Sequence, residues 1–445
     1  MKLNHIYKSI ACGVVLAMTA TSCDLDYNPV DTYSDVTEGV NKTDEKPIFN
    51  SVQDVETSMV TLHKKFRDQQ EHWYVDKLLI GDAHSDNAYA GTTGAEVVPY
   101  ETNSIEGSNS VLKRDWDRFL GDIAVANRII VGCDQLKALS ESERGKYQSQ
   151  ARYSVPWSCS IWYAYGVTSR SSLPWAVTLP KNVEEMYPTY FPPQNTAEEA
   201  YAQIEKDLTE AVENPNTPTN DTSDKSILTK SVARAMLAKV YAEKPLRDYA
   251  KVIKYADELA ADGFDLVEDF SDLWAYDTEK KDCRVRNTKE AILEAHFPPG
   301  SGNWCTWMFG RNLSNWDESF TWAKWITPSR DLIRLYEEQG DTKRYNESVV
   351  WYDCGWSNYY PADHYAFMYK CRSAFNSIIY LRYADILLLK AEAKIMGEAP
   401  DLNGAATSST ASATAPDWAN FHKAPAAVKK HCSKLIWTNA AWTCL

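Results

Sequence analysis

ILTKSVARAMLAKVYAEKPLRDYAKVIKYADELAA, running from Ile227 to Ala261, reads as two helices folded back on one another. In the first, Val232, Met236, Val240 and Tyr241 share one face. In the second, Tyr249, Val252, Ile253, Ala256, Leu259 and Ala260 repeat the pattern. Pro245 interrupts the run, since its ring removes a helical donor and clashes with the preceding turn. Gly263 stands where a helix C-terminus takes a positive φ. A hairpin of about 34 residues with small alanines at facing positions is the unit of tetratricopeptide-like arrays. An ordinary helical hairpin in an all-α domain accounts for the same pattern. In either case one pair cannot cover its own apolar face, so neighbouring elements pack on both sides.

Those neighbours are readable outward from the hairpin. Thr196 caps a helix carrying Tyr201, Ile204, Leu208 and Val212 on one stripe. Leu112 to Val131 aligns Leu112, Trp116, Phe119, Leu120, Ile123, Asn127 and Ile130. Ser51 and Asp54 open a helix like a capping box, with Val52, Val55, Met59, Leu62 and Phe66 on its inner face. Ile378 to Met396 predicts a helix apolar nearly all round, hence central, with Arg382 and Asp385 one turn apart and able to pair. Ile326 to Tyr336 is also expected to be helical, and Ala291 to Ala295 a short strand.

Compartment is written at the N-terminus. Lys2 and Lys8 flank an apolar run from Ile10 to Ala20, too short to span a bilayer as a helix, and small residues lead into Cys23. Residues 1–22 therefore read as a signal peptide. The small-small-Cys ending resembles a bacterial lipobox, which would make Cys23 the lipidated residue, with residues 23–49 an extended tether. A plain cleaved signal is the alternative. The net charge of −14 argues against nucleic acid and against an electrostatic hold on membranes. Ten cysteines without a CxxC pair indicate neither a zinc site nor a disulfide framework.

The chain contains 16 tryptophans and 26 tyrosines, and their clustering needs an explanation. Residues 298–325 hold Trp304, Trp307, Phe309, Trp316, Phe320, Trp322 and Trp325, broken by Gly300, Gly302 and Gly310, with no surviving period. Rings on irregular loops suit flat sugar faces, whose C–H groups stack on them while hydroxyls need polar neighbours. Asn303, Arg311, Asn312, Asn315 and Asp317 provide those neighbours. A buried aromatic core is the competing reading. A second candidate stretch is residues 81–91. Its alternating Asp82, His84 and Asp86 faintly resemble a calcium loop but lack the spacing to a closing Glu. It reads instead as a polar loop presenting Asp86, Asn87 and Tyr89.

Several of these stretches together resemble the SusD/RagB family of outer-membrane nutrient-binding lipoproteins. They are Ser22 to Asp26, Gly81 to Gly91, Lys230 to Phe264, Lys289 to Phe297, Pro328 to Arg344 and, most specifically, Tyr380 to Ala393. The resemblance implies a mostly α fold of tetratricopeptide-like helix pairs in a right-handed superhelical scaffold. An irregular, aromatic-rich ligand part and few short strands would complete it. It implies a surface-exposed protein, lipid-anchored at Cys23 to the outer membrane, that captures glycans for a SusC-like TonB-dependent transporter. Asp24-Leu25-Asp26 resembles the export signal of such lipoproteins. Only the region of the ligand site carries over: Tyr89, Asp86 and Asn87, with Trp304, Trp307, Trp316, Trp322, Asn303 and Asn312.

Two stretches depart from the family pattern. Arg152 to Pro174 lacks the usual apolar helix, and Ala405 to Ala415 is an Ala/Ser/Thr run where the family has Arg/Glu-rich helices. Local shifts of reading frame would produce both. The expected organisation is a SusD-like helical domain over residues 50–403 and a disordered tail over residues 404–445. The sequence contains no GxSxG, HExxH or P-loop and its eight histidines are dispersed, so neither a catalytic residue nor a metal or cofactor is expected. Against glycan capture stand a helical-repeat adaptor and a peptide-uptake lipoprotein, both binding protein partners.

Overall fold

A computed structural model describes residues 47–91, 94–153, 173–174, 194–277, 279, 282–297, 302–303, 325–353, 359–370 and 372–412. Cys23 and the signal segment lie outside these residues. So do Trp304, Trp307, Trp316, Trp322 and Asn312, and most of the anomalous stretch 153–172.

The main helices in chain order are α1 (Val52–Asp68), α2 (Ser110–Gln135), α3 (Glu141–Ala151), α4 (Ala197–Glu213), α5 (Lys230–Ala242) and α6 (Tyr249–Ala261). They continue with α7 (Arg330–Gln339), α8 (Thr342–Ser348), α9 (Tyr383–Met396) and α10 (Leu402–Ser412). The longer strands are β1 (Ala88–Ala90), β2 (Ala291–Ala295), β3 (Ile326–Pro328), β4 (Val349–Tyr352), β5 (Tyr365–Met368) and β6 (Ile378–Arg382). They pair antiparallel as β1 with β3, β2 with β6 and β4 with β5. The fold is mostly helical with few short strands. No helix among the described residues is long and apolar enough to cross a membrane.

The α5–α6 hairpin sits where the sequence puts it. Val232, Met236, Val240 and Tyr241 are buried on α5, and Val252, Ala256 and Leu259 on α6. Small alanines let the two axes approach closely. The rings of Tyr241 and Tyr255 stack across the gap, 6.0 Å apart and nearly parallel. Gly263 ends α6 with φ +93°, a conformation costly for any residue with a Cβ. α4 packs beside α5, and α9 lies against both hairpin helices. The expected caps form: Ser51 with Asp54 on α1 and Thr196 with Glu199 on α4 are capping boxes.

The start of the domain is fixed at α2. Phe49 is buried against Gly132, where a Cβ would come within 2.4 Å of the ring. Further along come two π-helical turns, Glu71–Val75 and Leu79–Ala83, and α2 satisfies the buried polar groups of the first. Asp122 accepts from Lys65 Nζ at 2.5 Å, His72 Nε2 at 2.8 Å and Trp73 Nε1 at 3.0 Å. Burial lowers the His72 pKa, so the imidazole is neutral and uses its Nε2–H as donor. Asp76 pairs with Arg114 from the same helix.

Four expectations are corrected. Ile378–Arg382 is a strand, β6, and the central helix starts only at Tyr383. A short apolar run has no period to separate strand from helix, and here pairing with β2 decides. Likewise Ile326–Pro328 is strand β3, and Ser329 caps α7 behind it. Arg382 does not pair with Asp385. Still extended at φ −125° and ψ 137°, it reaches the buried Glu290 at 2.6 Å, while Asp385 pairs with Lys239. Finally, the tail expected to be disordered from Gly404 is helical through Ser412, with Ala405 and Ser408 buried. Residues 413–445 lie outside the described residues.

The ion pair of Arg382 and Glu290 is buried on both sides, unlike that of Lys113 and Asp117, whose side chains are 72% and 60% exposed. Replacing either buried partner by Ala strands the other charge. In urea unfolding, Arg382→Ala is expected to cost about 3–5 kcal/mol, and Lys113→Ala under about 1 kcal/mol.

Candidate ligand site

The loop carrying Tyr89 is set by sequence-local chemistry. Asp82 lies within the second π-helical turn and is buried at 2% exposure. Its backbone carbonyl accepts from the Ser85 amide and hydroxyl, and its Oδ1 accepts from Asn87 Nδ2 at 3.3 Å. Ser329 then clasps the loop, donating its amide to Asn87 O at 3.0 Å and its hydroxyl to Asp86 O at 2.6 Å. Next, β1 runs antiparallel to β3 with Tyr89 opposite Thr327. Strand alternation buries Ala88 and Ala90 and turns Tyr89 outward, half-buried.

Two adjacent rings from one other segment meet Tyr89. Tyr359 stacks on it, with centroids 4.4 Å apart and planes 20° from parallel, and Tyr360 lies at 6.4 Å. Across the β4–β5 hairpin, Trp351 meets Tyr360 edge-on at 5.2 Å and stacks on His364 at 4.2 Å. Thr327 joins the two ladders by donating its hydroxyl to Ala366 O at 2.6 Å. Five rings thus run in sequence: Tyr359, Tyr89, Tyr360, Trp351, His364. Tyr359, Tyr89 and Trp351 are half-buried and His364 is exposed, so the row forms a shelf with accessible surface.

Hydrogen bonds hold the three tyrosines and Trp351 in place. Tyr359 Oη donates to Glu101 Oε2 at 2.5 Å, and the same oxygen accepts the Ala90 amide at 2.8 Å. Tyr360 Oη donates to Pro328 O at 2.7 Å, and Trp351 Nε1 to Tyr345 Oη at 2.8 Å. The Arg330 amide donates to Tyr89 Oη at 3.2 Å, while its guanidinium donates to Tyr359 O and lies 4.8 Å above the Tyr360 ring. Burial, reinforced by Glu101, pushes the Tyr359 phenol well above its usual range, so it remains a donor.

Of the residues singled out in the sequence, the structure gathers Asp86, Asn87 and Tyr89 on this one loop. Asp86 is exposed, and Asn87 is spent on Asp82. Asn303 is buried elsewhere and pins the 373–376 turn, donating to Asn376 O at 2.6 Å and Ser373 O at 3.3 Å. The tryptophans of residues 304–322 and Asn312 lie outside the described residues. Among the described residues, no group of three His, Cys, Asp or Glu side chains is placed to hold a metal. Sequence reading passed over Trp351, Tyr359, Tyr360 and His364. A signal was present: the β-branched and aromatic runs at 349–352 and 365–368 each read as a short strand.

Asp82 titrates under this loop. Burial raises its pKa to about 7, against about 3.9 in an unfolded chain. The folded state therefore binds more protons through that window, and stability falls as pH rises from about 4 to about 7, staying reduced above. Asp82→Asn keeps the acceptor for Asn87 and removes the titration. It should raise the melting temperature at pH 8 and shrink the difference between pH 5 and pH 8. An unchanged difference would refute the assignment.

No family model and no curated protein sequence matches the chain. Solved structures do. A laminarin-binding SusD-like protein superposes with a TM-score of 0.63 at 17% identity, covering 88% of this chain and 90% of that one. Surface glycan-binding protein A from Bacteroides uniformis gives 0.66 at 17% identity, covering 88% and 86%. Surface glycan-binding protein A from Bacteroides thetaiotaomicron, in complex with laminarihexaose, gives 0.61 at 14% identity, covering 88% and 89%. With the helical scaffold, the late-starting central helix and the strand pairs in place over that length, the chain has the SusD-like fold.

Proposed function

We propose that the protein is a non-catalytic glycan-binding lipoprotein of the cell surface. In this reading it captures oligosaccharides on the ring shelf and passes them to a SusC-like TonB-dependent transporter in the outer membrane. The observation that carries it is the row of Tyr359, Tyr89, Tyr360, Trp351 and His364, built on the buried Tyr360, with the half-buried Tyr359, Tyr89 and Trp351 and the exposed His364 at the surface. Sugars offer such rings a C–H face, and each stacked ring contributes about 0.5–1.5 kcal/mol beyond the area it covers. The polar groups beside the row, Asp86 and Arg330, suit ring hydroxyls. Trp325 leads straight into β3, so the tryptophans at 304, 307, 316 and 322 and Asn312 are the proposed extension of the shelf. The laminarin and laminarihexaose named for two structural neighbours make β-glucan oligosaccharides the first probes. Cys23 is the proposed lipid attachment.

Calorimetric titration of the soluble chain from Asp24 with laminarihexaose and a panel of other neutral oligosaccharides tests the shelf. A saturable response to one glycan class is expected. Tyr89→Ala or Trp351→Ala should weaken it about tenfold, or about 1.4 kcal/mol, with the sugar recovered intact. A folded protein that ignores every glycan, or cleaves one, would sink the reading. In cells, Cys23→Ala is expected to move the protein out of the membrane fraction. Retention there would refute the anchor.

A further inference from the structure

A separate recess opens on elements that share no residue with the shelf. It is a groove of about 870 Å³ between the outer face of α1 and the last turns of α3, closed by Ser226 and His296. Its charge runs against that of the chain, which is −14 overall. Lys64, Arg67 and Lys146 line it, with Glu56 as the one carboxylate among its lining residues. Arg67 is engaged by Asp68 at 2.5 Å and 3.0 Å. Lys64 and Lys146 are exposed and make no ion pair among the described residues. His63, between them, has its Nε2 buried without a hydrogen-bond partner. It also borders a deeper recess of about 40 Å³ with Leu228, Leu293 and Tyr380, room for one or two ordered waters.

The remaining lining selects among anions. Thr57 and Thr61 each donate their hydroxyl to the carbonyl four residues back, at 2.8 Å and 2.9 Å. Their remaining lone pairs face solvent as acceptors, one helical turn apart. Val60, 52% exposed, lies beside them as an apolar spot. Acceptors for hydroxyl donors, an apolar spot for a C–H face and unpaired ammoniums together suit an acidic sugar. An extended peptide would seek rows of free backbone donors and acceptors, and a helix face has already used these.

We propose that this groove is a second ligand site, selective for acidic oligosaccharides whose uronate carboxylates pair with Lys64 and Lys146. It stands independently of the shelf, which takes neutral sugar faces.

The test is calorimetry on the chain from Asp24 with hexagalacturonate, its fully methyl-esterified form and hexaglutamate, at low and high salt. Hexagalacturonate is expected to bind, to weaken as salt rises, and to weaken at least tenfold in Lys64→Gln/Lys146→Gln. The neutral ester should bind at least tenfold more weakly to the parent protein, an arm that needs no variant. Both lysines are exposed and unpaired, so the variant should melt with the parent and bind laminarihexaose unchanged if the shelf does. Three results would overturn the proposal: no binding of hexagalacturonate, equal binding by the double variant, or hexaglutamate binding as tightly. The last would make the groove a peptide site. Loss of laminarihexaose binding alone would count against the shelf and leave the groove standing.

Discussion

Glu290 is a carboxylate in a place where water cannot reach it, and the fold is arranged around satisfying it. Its Oε1 takes the Arg382 guanidinium at 2.6 Å, its Oε2 takes the Val267 amide at 3.0 Å, and its backbone carbonyl takes the Tyr383 amide at 2.9 Å. A buried ion pair contributes little net stability, because desolvation offsets most of the attraction. Its effect is on register. One residue's atoms fix the exit of the α6 hairpin, the last residue of β6 and the first turn of α9. Any slip between β2 and β6 would leave Arg382 charged in an apolar interior. The discontinuity at Arg382 follows from this: the chain must stay extended until the guanidinium has reached Glu290, and only then can it coil.

The helical half was legible because each helix announces itself twice, by an apolar stripe and by a cap. Ser51 with Asp54, Thr196 with Glu199, and Gly263 mark ends that the stripes alone leave vague. The strand pairs were less legible, since they are mostly two to five residues long and the β1–β3 and β2–β6 partners lie far apart in sequence, as Ile378 does from Ala295. A run such as Ile378 to Leu389 is apolar in either conformation, and only a partner strand distinguishes them. The Arg382–Asp385 expectation failed for the same reason. It assumed one continuous helix, in which residues one turn apart meet.

The site divides similarly. Tyr89 was visible because it follows Ser85, Asp86 and Asn87, residue types that favour a turn. Tyr359, Tyr360 and Trp351 are brought to it through the Thr327–Ala366 hydrogen bond, a contact without a local signature. Asn303 shows a structural use that its sequence neighbours do not signal. A polar residue beside tryptophans reads as a ligand contact, yet its amide is consumed by two backbone carbonyls of a turn.

What the shelf can recognise follows from how its rings are held. Every phenol and indole nitrogen in the row with a described partner is directed back into the protein: Tyr359 to Glu101, Tyr360 to Pro328, Trp351 to Tyr345. The rings therefore keep few polar edges for a ligand and offer faces, held rigid before any ligand arrives, so little rotamer freedom is lost on binding. Glu101 is occupied too, with one oxygen accepting from both Tyr359 and the Ala90 amide. Glycoside cleavage needs two carboxylates free to exchange protons on either side of a bond, and a carboxylate locked between a phenol and an amide is poorly suited to that exchange. Under the proposed function, rings pre-set in this way would hold a sugar without taking part in its cleavage. Discrimination between sugars then falls to whatever polar groups border the row.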